Sequence, residues 1–344
     1  MKTAILTGIR QMQMTDAPEP AIVVDTDVKI RMQIVGVCGS DIHYYLNGRI
    51  GSQVIQYPFP VGHEGAGVVV ETGRAVTHVK PGDRVAIEPA MSCFSCDQCL
   101  SGRPHTCRQL RFLGCPGQAD GCLSEFIVMP ESCCYPIPEQ MTYEEAALSE
   151  PLAIGMYAVK QSGPITDASV GILGFGPIGM SVMLSALAKD ASKVFVTDKI
   201  ENRLNRARQI NADWAGNPLQ EDIVERILDM EPKGLDAVFE CCGQQDAMDQ
   251  AVKLVKPGGR IMIVGIPDVD RWTFSVDKLR HKEITIGNVR RQNHTLDETL
   301  EAIAKQQIDV KPMVTHRYPL NKTKEAFDLV AGYQNGVMKA MIDM

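Results

Sequence analysis

The stretch Val170-Gly171-Ile172-Leu173-Gly174-Phe175-Gly176-Pro177-Ile178-Gly179 constrains the fold of this chain more than any other. An apolar run suited to a buried strand passes straight into a G-x-G-x-x-G pattern, and Pro177 falls where a helix would begin and its missing N–H costs least. Such glycines permit a tight turn, close approach of backbone to a pyrophosphate, and tight packing of helix on strand, while the helix N-terminus faces the phosphates. Asp198 ends the next apolar run, 24 residues after Gly174. A carboxylate there accepts hydrogen bonds from the adenosine ribose hydroxyls and repels a 2'-phosphate, so NAD is expected rather than NADP. Lys199 and Arg203 nearby soften that preference without reversing it. The expected cofactor-binding residues are Gly174, Gly176, Pro177, Ile178, Gly179, Asp198, Arg203 and Val264. A glycine-rich turn with an exposed helix-capping Asp accounts for the glycines but not for the spacing.

The surrounding pattern supports a doubly wound parallel sheet. From about Glu150, short apolar runs (Val170 to Leu173, Val194 to Val196, Ala237 to Phe239, Ile261 to Val264) alternate with helical stretches (Gly179 to Lys189, Glu201 to Ile210, Pro218 to Met230, Asp246 to Val255). Strands buried on both faces read this way, and β-then-α alternation is the signature of an α/β fold. That region closes near Asn288. The first half differs: Val28 to Val35 and Gly67 to Glu71 alternate and are broken by turns such as Lys80-Pro81-Gly82-Asp83, which predicts an irregular, barrel-like β domain. The tail, Leu296 to Gln306 then Met338 to Ile342, resumes a helix-then-strand pattern that could return to the first domain.

Composition excludes several classes. The 344 residues carry 35 Lys+Arg against 42 Asp+Glu, a net charge of -7, with 44% hydrophobic and 22% charged residues. This suits a globular chain of roughly two domains and disfavours disorder, sequence-wide attraction to nucleic acid, and anionic membrane surfaces. There is no run of about 18 apolar residues and no signal-peptide plan at the amino terminus, so cytoplasmic residence and a small-molecule partner are expected.

Eleven cysteines in such a chain point to metal before disulfides. Cys93, Cys96, Cys99 and Cys107 lie within fifteen positions of a loop that also holds Gly102 and Pro104. Four thiolates make a closed, structural zinc site, with an iron–sulfur cluster or free thiols as alternatives. Cys115, Cys122, Cys133, Cys134, Cys241 and Cys242 read as small buried hydrophobes. A third set is dispersed: Cys38-Gly39-Ser40-Asp41-Ile42-His43, Gly62-His63-Glu64 and Glu150-Pro151. One thiol, one imidazole and one carboxylate, with a water, form the open kind of zinc site that polarises an alcohol or carbonyl oxygen. Singly, Cys38 and His63 read as core residues and Glu150 as a helix-start residue; together with the dinucleotide motif and the four-cysteine lobe they read as ligands.

On these residues the chain resembles the zinc-dependent medium-chain dehydrogenases from end to end. Within them it is most similar to the sorbitol and xylitol (polyol) dehydrogenases, through Gly36-Val37-Cys38-Gly39-Ser40-Asp41-Ile42-His43-Tyr44-Tyr45, Gly48-Arg49-Ile50-Gly51, Gly62-His63-Glu64, Glu150-Pro151-Leu152 and Val196-Thr197-Asp198. The resemblance implies a GroES-like zinc-binding catalytic domain over 1–151, completed by 291–344, and a Rossmann domain over 152–290. It implies a catalytic zinc held by Cys38, His63 and either Glu64 or Glu150, a second zinc in the lobe, a proton relay through Ser40 and His43 beside the nicotinamide ribose, and a homotetramer or homodimer. It further implies a substrate pocket of Tyr44, Phe112, Glu150 and Arg290. The expected reaction is hydride transfer from a secondary alcohol of a polyol to NAD, giving a ketose. Similar enzymes read Arg-Tyr where this chain has Arg290-Arg291. A second guanidinium there either faces solvent or grips a substrate carboxylate or phosphate. The alternatives are therefore a dehydrogenase of an aldonate, of threonine or of a phosphorylated polyol. A non-catalytic NAD-binding redox sensor of this fold would lose a zinc ligand or the relay, and a quinone or enoyl reductase would lack the metal ligands; this chain keeps them.

Overall fold

Alternation along Asp27–Gly36 (DVKIRMQIVG) buries Val28, Ile30, Met32 and Ile34 on one face of a strand. This strand organises a seven-stranded sheet. Glu64–Thr72 pairs with it antiparallel along its length. Phe126–Pro130 pairs with its first half, and Lys339–Asp343 with its last three residues. Gly36 therefore stands opposite Glu64 on one side and Met341 on the other. The carboxy-terminal segment thus returns to the sheet built by the amino-terminal one, with Val314–Pro319 added parallel at its edge.

The structure, a computed structural model, describes residues 1–267 and 269–344 and divides into two units. The first comprises Met1–Glu150, Leu296–Gln306 and Met313–Met344; the second comprises Pro151–Thr295 and Gln307–Pro312. Each has its own apolar core, the first around Val28, Ile30, Val35, Tyr45, Leu123 and Phe327. The core of the second includes Leu173, Phe195, Val238, Met248 and Ile261.

The second unit is a six-stranded, wholly parallel sheet in the order Trp214–Gly216, Lys193–Thr197, Ser169–Leu173, Leu235–Glu240, Val255–Ile263, Thr285–Asn288. Numbered along the chain this is 3-2-1-4-5-6, the Rossmann order, whose strand order reverses beside Ser169–Leu173. Ligands of such sheets bind outside the carboxyl ends of the strands at that reversal, where Gly174 begins its turn.

Three local expectations change. The helix expected from Pro218 begins only at Ile223, because the Asp222 carboxylate accepts hydrogen bonds from Val224 N and Glu225 N and caps it there. The following helix, expected over Asp246 to Val255, ends at Leu254, since Val255 is already extended and starts the next strand. Cys115, Cys122, Cys133 and Cys134 are buried, but Cys242 is exposed and Cys241 half-buried. Both follow the last residue of the strand Leu235–Glu240, beyond its last paired position. No described helix is long and apolar enough to cross a membrane.

Candidate metal centres and dinucleotide loop

The strand Asp27–Gly36 delivers Cys38 to the start of the helix Gly39–Asn47. Asp41, in the first turn of that helix and wholly buried, organises the surroundings. Its Oδ2 accepts from Cys38 N at 3.2 Å, its Oδ1 from Gly62 N at 3.2 Å, and Oδ1 lies 3.3 Å from His63 Nδ1. The carboxylate thereby orients the imidazole through one nitrogen and leaves Nε2 to ligate, the arrangement metal-bound histidines adopt. Burial opposes charge on His63, yet the adjacent Asp41 and Cys38 hold its pKa well above the usual imidazole value.

One ligand atom each of Cys38, His63 and Glu64 lies within 4.8 Å of the others. Glu150, on the helix Tyr143–Gln161, is 6% exposed, and its Oε2 is buried without a hydrogen-bond partner among the described residues. Burial pushes its carboxyl up to about 8, with His63 and Lys339 opposing and Glu64 and Glu88 reinforcing the rise. A half-buried thiol, a buried imidazole and two buried carboxylates, one of them with an unmatched oxygen, fit a divalent ion. The imidazole of His63 is also covered by the Phe112 ring, centroids 5.3 Å apart. Ser40 Oγ donates to Cys38 Sγ at 3.3 Å. Ser40 and His43 share one face of their helix at i and i+3, half-buried, while Asp41, Ile42, Tyr44 and Tyr45 turn inward. Tyr44 belongs to the apolar core at 4% exposure, its hydroxyl 3.3 Å from Gln53 Oε1.

The four lobe cysteines form the second cluster. Their Sγ atoms stand 3.4 Å (Cys93–Cys107), 3.6 Å (Cys96–Cys99) and 3.9 Å (Cys93–Cys99 and Cys96–Cys107) apart. A tetrahedron with arms of about 2.3 Å has edges of about 3.8 Å, so these spacings fit one zinc held by four thiolates. Backbone N–H groups of Cys93 and Gln109 point at Cys107 Sγ, and Arg108 ties the segment through Asp97.

In the second unit, Gly174 takes φ +96°, which a side chain rarely adopts, and a Cβ on Gly179 would overlap the Gly174 carbonyl oxygen. Gly176 caps the helix Pro177–Leu187, with Pro177 at its first position. Asp198 follows the strand Lys193–Thr197, accepts from Phe175 N at 2.6 Å and Ile200 N at 2.8 Å, and lies 3.6 Å from Arg203 Nη1. It is thus held against the glycine loop itself. Val264 stands half-buried just beyond the strand Val255–Ile263. Arg290 is exposed, and Arg291 is half-buried with φ +55°.

Sequence reasoning assigned no role to Asp41 or Lys339. Asp41 had a signal, an acidic residue in the first turn of a helix that starts after a candidate ligand. Lys339 sits alone inside the apolar run Met338 to Ile342, where a lysine needs a buried partner. That partner is Glu64, both of whose oxygens lie 2.6 Å from Lys339 Nζ, each side chain 1% exposed.

Comparison with known proteins agrees with this architecture. The family described as alcohol dehydrogenase GroES-like domain matches residues 24–139, and that described as zinc-binding dehydrogenase matches residues 177–305. The chain is 34% identical over 343 residues to sorbitol dehydrogenase of Bacillus subtilis, covering 99% of this chain and 97% of that one. It is 32% identical over 348 residues to L-idonate 5-dehydrogenase of Vitis vinifera, covering 99% and 94%. Among solved structures, an Escherichia coli oxidoreductase/dehydrogenase of unknown specificity, involved in membrane biogenesis, superimposes with a TM-score of 0.94 at 34% identity, covering 99% of this chain and 98% of that one. With a GroES-like part, a Rossmann sheet, and donor sets that fit zinc and a nicotinamide dinucleotide, the chain belongs to the zinc-dependent medium-chain dehydrogenases, in their polyol dehydrogenase branch.

Proposed function

We propose that this enzyme oxidises a secondary hydroxyl of a neutral polyol to the ketone, with NAD as hydride acceptor. The observation that carries the chemistry is the cluster of half-buried Cys38 with buried His63 and Glu64, with the unmatched Oε2 of Glu150 in the same unit. Cys38 and His63, with Glu64 or Glu150, would hold the catalytic zinc; Cys93, Cys96, Cys99 and Cys107 would hold a structural one, two ions per chain. When bound at an open site, zinc polarises a hydroxyl oxygen and lowers its pKa. Asp41 fixes the imidazole of His63, and the Phe112 ring beside it supplies an apolar wall. Ser40 would accept the hydroxyl proton and pass it along the helix face to His43 and water, and a bound nicotinamide would supply the hydride acceptor, so that one alcohol and one NAD would give one ketone, one NADH and one proton.

The Gly174-Phe175-Gly176-Pro177-Ile178-Gly179 turn would take the pyrophosphate, with Asp198 and Arg203 on the adenosine side and Val264 toward the nicotinamide. The carboxylate of Asp198 supports NAD over NADP. The substrate class draws on the sorbitol dehydrogenase relative, while the L-idonate 5-dehydrogenase relative keeps an aldonate as the second reading. Of the residues expected around a polyol, Phe112 and Glu150 fit the site, whereas the burial of Tyr44 in the core argues for a supporting role. The outer edge of Thr285–Asn288, which has no strand partner among the described residues, supports a homodimer or homotetramer. Initial rates with NAD against tetritols, pentitols, hexitols, threonine and aldonates test the proposal. A polyol should lead the panel, and an aldonate or threonine in first place would overturn the polyol assignment.

A further inference from the structure

We infer that Gln244 is a specificity-determining residue of the dinucleotide site, holding the Lys199 ammonium in a bridge across the carboxyl end of the parallel sheet and away from the place of a 2'-phosphate. This rests on the NAD site proposed above and adds a second device to the carboxylate of Asp198.

The bridge follows from the strand order. Thr197, Leu173 and Glu240 stand in one row at the carboxyl ends of three neighbouring strands, with Leu173 in the middle. Lys199 lies two positions beyond Thr197 and Gln244 four beyond Glu240, and Lys199 Nζ donates to Gln244 Oε1 at 2.6 Å. Two strand spacings, about 10 Å, separate the outer strands, so the two side chains together cross the end of the middle one. That end is the Gly174 turn. Asp198 holds the turn from one side through Phe175 N, and a Cβ on Gly174 would meet Cys242 Cβ on the other.

Buried groups set both ends of the bridge. The Lys199 carbonyl accepts from Asn217 Nδ2 at 3.2 Å, and Asn217 is 6% exposed. On the opposite side the wholly buried Glu240 carboxylate accepts from Cys242 N at 2.8 Å and Gly243 N at 2.5 Å. Gly243 has φ +72°, and a Cβ there would overlap Ile266 O. The Gln244 carbonyl then accepts from Ala247 N at 3.1 Å as the next helix begins. Both backbones are held, so the bridge opens through its side chains alone.

The consequence concerns which cofactor gains the ammonium. Arg203 already lies 3.6 Å from Asp198, whereas Lys199 is held by a neutral amide. That amide draws Nζ toward the far side of the Gly174 turn, while the ribose 2'-oxygen belongs beside Asp198. A 2'-phosphate therefore has to break the bridge before it can pair with the ammonium, and NAD has no such phosphate to reward the break. Lys199 and Gln244 are both exposed, so the bond is weak and its effect on the cofactor ratio is about three- to fivefold.

The test measures binding of NADH and NADPH to the purified enzyme by calorimetry, with 5'-AMP and adenosine 2',5'-bisphosphate as probes that differ only in the 2'-phosphate. Gln244→Leu, which keeps the bulk and removes the acceptor, should shift the ratio of dissociation constants toward NADPH by about three- to fivefold, with the same shift between the two adenosine probes. Gln244→Ala should move both ratios in the same direction. In a Lys199→Met background, where no ammonium remains to be released, Gln244→Leu should leave both ratios unchanged. An unchanged ratio in Gln244→Leu, an equal loss of affinity for both cofactors, or a shift that persists without Lys199 would each overturn the inference. Wild-type enzyme that bound neither NADH nor NADPH would instead remove the dinucleotide site itself, whatever Gln244 does.

Discussion

Replacing Cys96 with serine should melt the four-cysteine lobe and leave the rest of the enzyme folded. Residues 93–107 contain only two buried side chains, His105 and Cys107, so this segment has no apolar core to order it. Fixing fifteen backbones costs about 15 kcal/mol at about 1 kcal/mol each. A structural zinc held there would contribute about 10–16 kcal/mol, a matching sum, and would then be the main source of order in the lobe. Losing one ligand of four removes about 3–4 kcal/mol of that, which raises the open population by roughly two to three powers of ten. The readout is amide hydrogen exchange at Leu100, Ser101, Gly102, Arg103, Thr106 and Cys107, whose N–H groups donate to carbonyls within the lobe at 2.8–3.0 Å. Their exchange should accelerate by about that factor while amides of Asp27–Gly36 stay protected, with zinc falling from about two per chain toward one and the folded fraction remaining active. Two retained zinc ions and unchanged exchange at those six amides would refute the reasoning.

Other outcomes are expected. Asp198→Ala should weaken NAD and relatively improve NADP, because the ribose acceptor and the repulsion of a 2'-phosphate vanish together; an unchanged kcat/KM ratio for the two cofactors would mean that the carboxylate does not face the ribose. Metal-stripped enzyme should lose stability as pH rises from about 4.5 to about 8, since the raised pKa of Glu150 favours the folded state only while the group is protonated; Glu150→Gln should flatten the Tm profile, and an equally steep profile in that variant would assign the slope to another group. Arg291→Asn, which tolerates the left-handed backbone at φ +55°, should leave the ratio of polyol to aldonate rates unchanged; a loss of about tenfold or more confined to the acid would place Arg291 on a substrate carboxylate.

Sequence alone was sufficient for much of what depends on near neighbours in the chain. Strand, glycine turn and helix from Ser169 to Leu187 are contiguous, so the steric demands of Gly174 and Gly179 and the capping geometry at Pro177 were legible as a spacing. The lobe was legible for the same reason, since Cys93, Cys96, Cys99 and Cys107 need only a short loop to reach a single ion. Local reasoning misplaced the start of Ile223–Met230 by passing over the cap at Asp222, and it buried Cys242 by taking a cysteine's usual apolar preference where the chain had already left its sheet. Tertiary structure decided what lies between distant segments. The pairing of Lys339 with Glu64 spans 275 positions and exists because Gly36 faces Glu64 on one side and Met341 on the other. No periodicity in either segment encodes that meeting, and neither does the burial that leaves one oxygen of Glu150 without a partner. The candidate ligands can be named from the chain; which of them meet depends on the groups that the sheet's register brings into contact away from water.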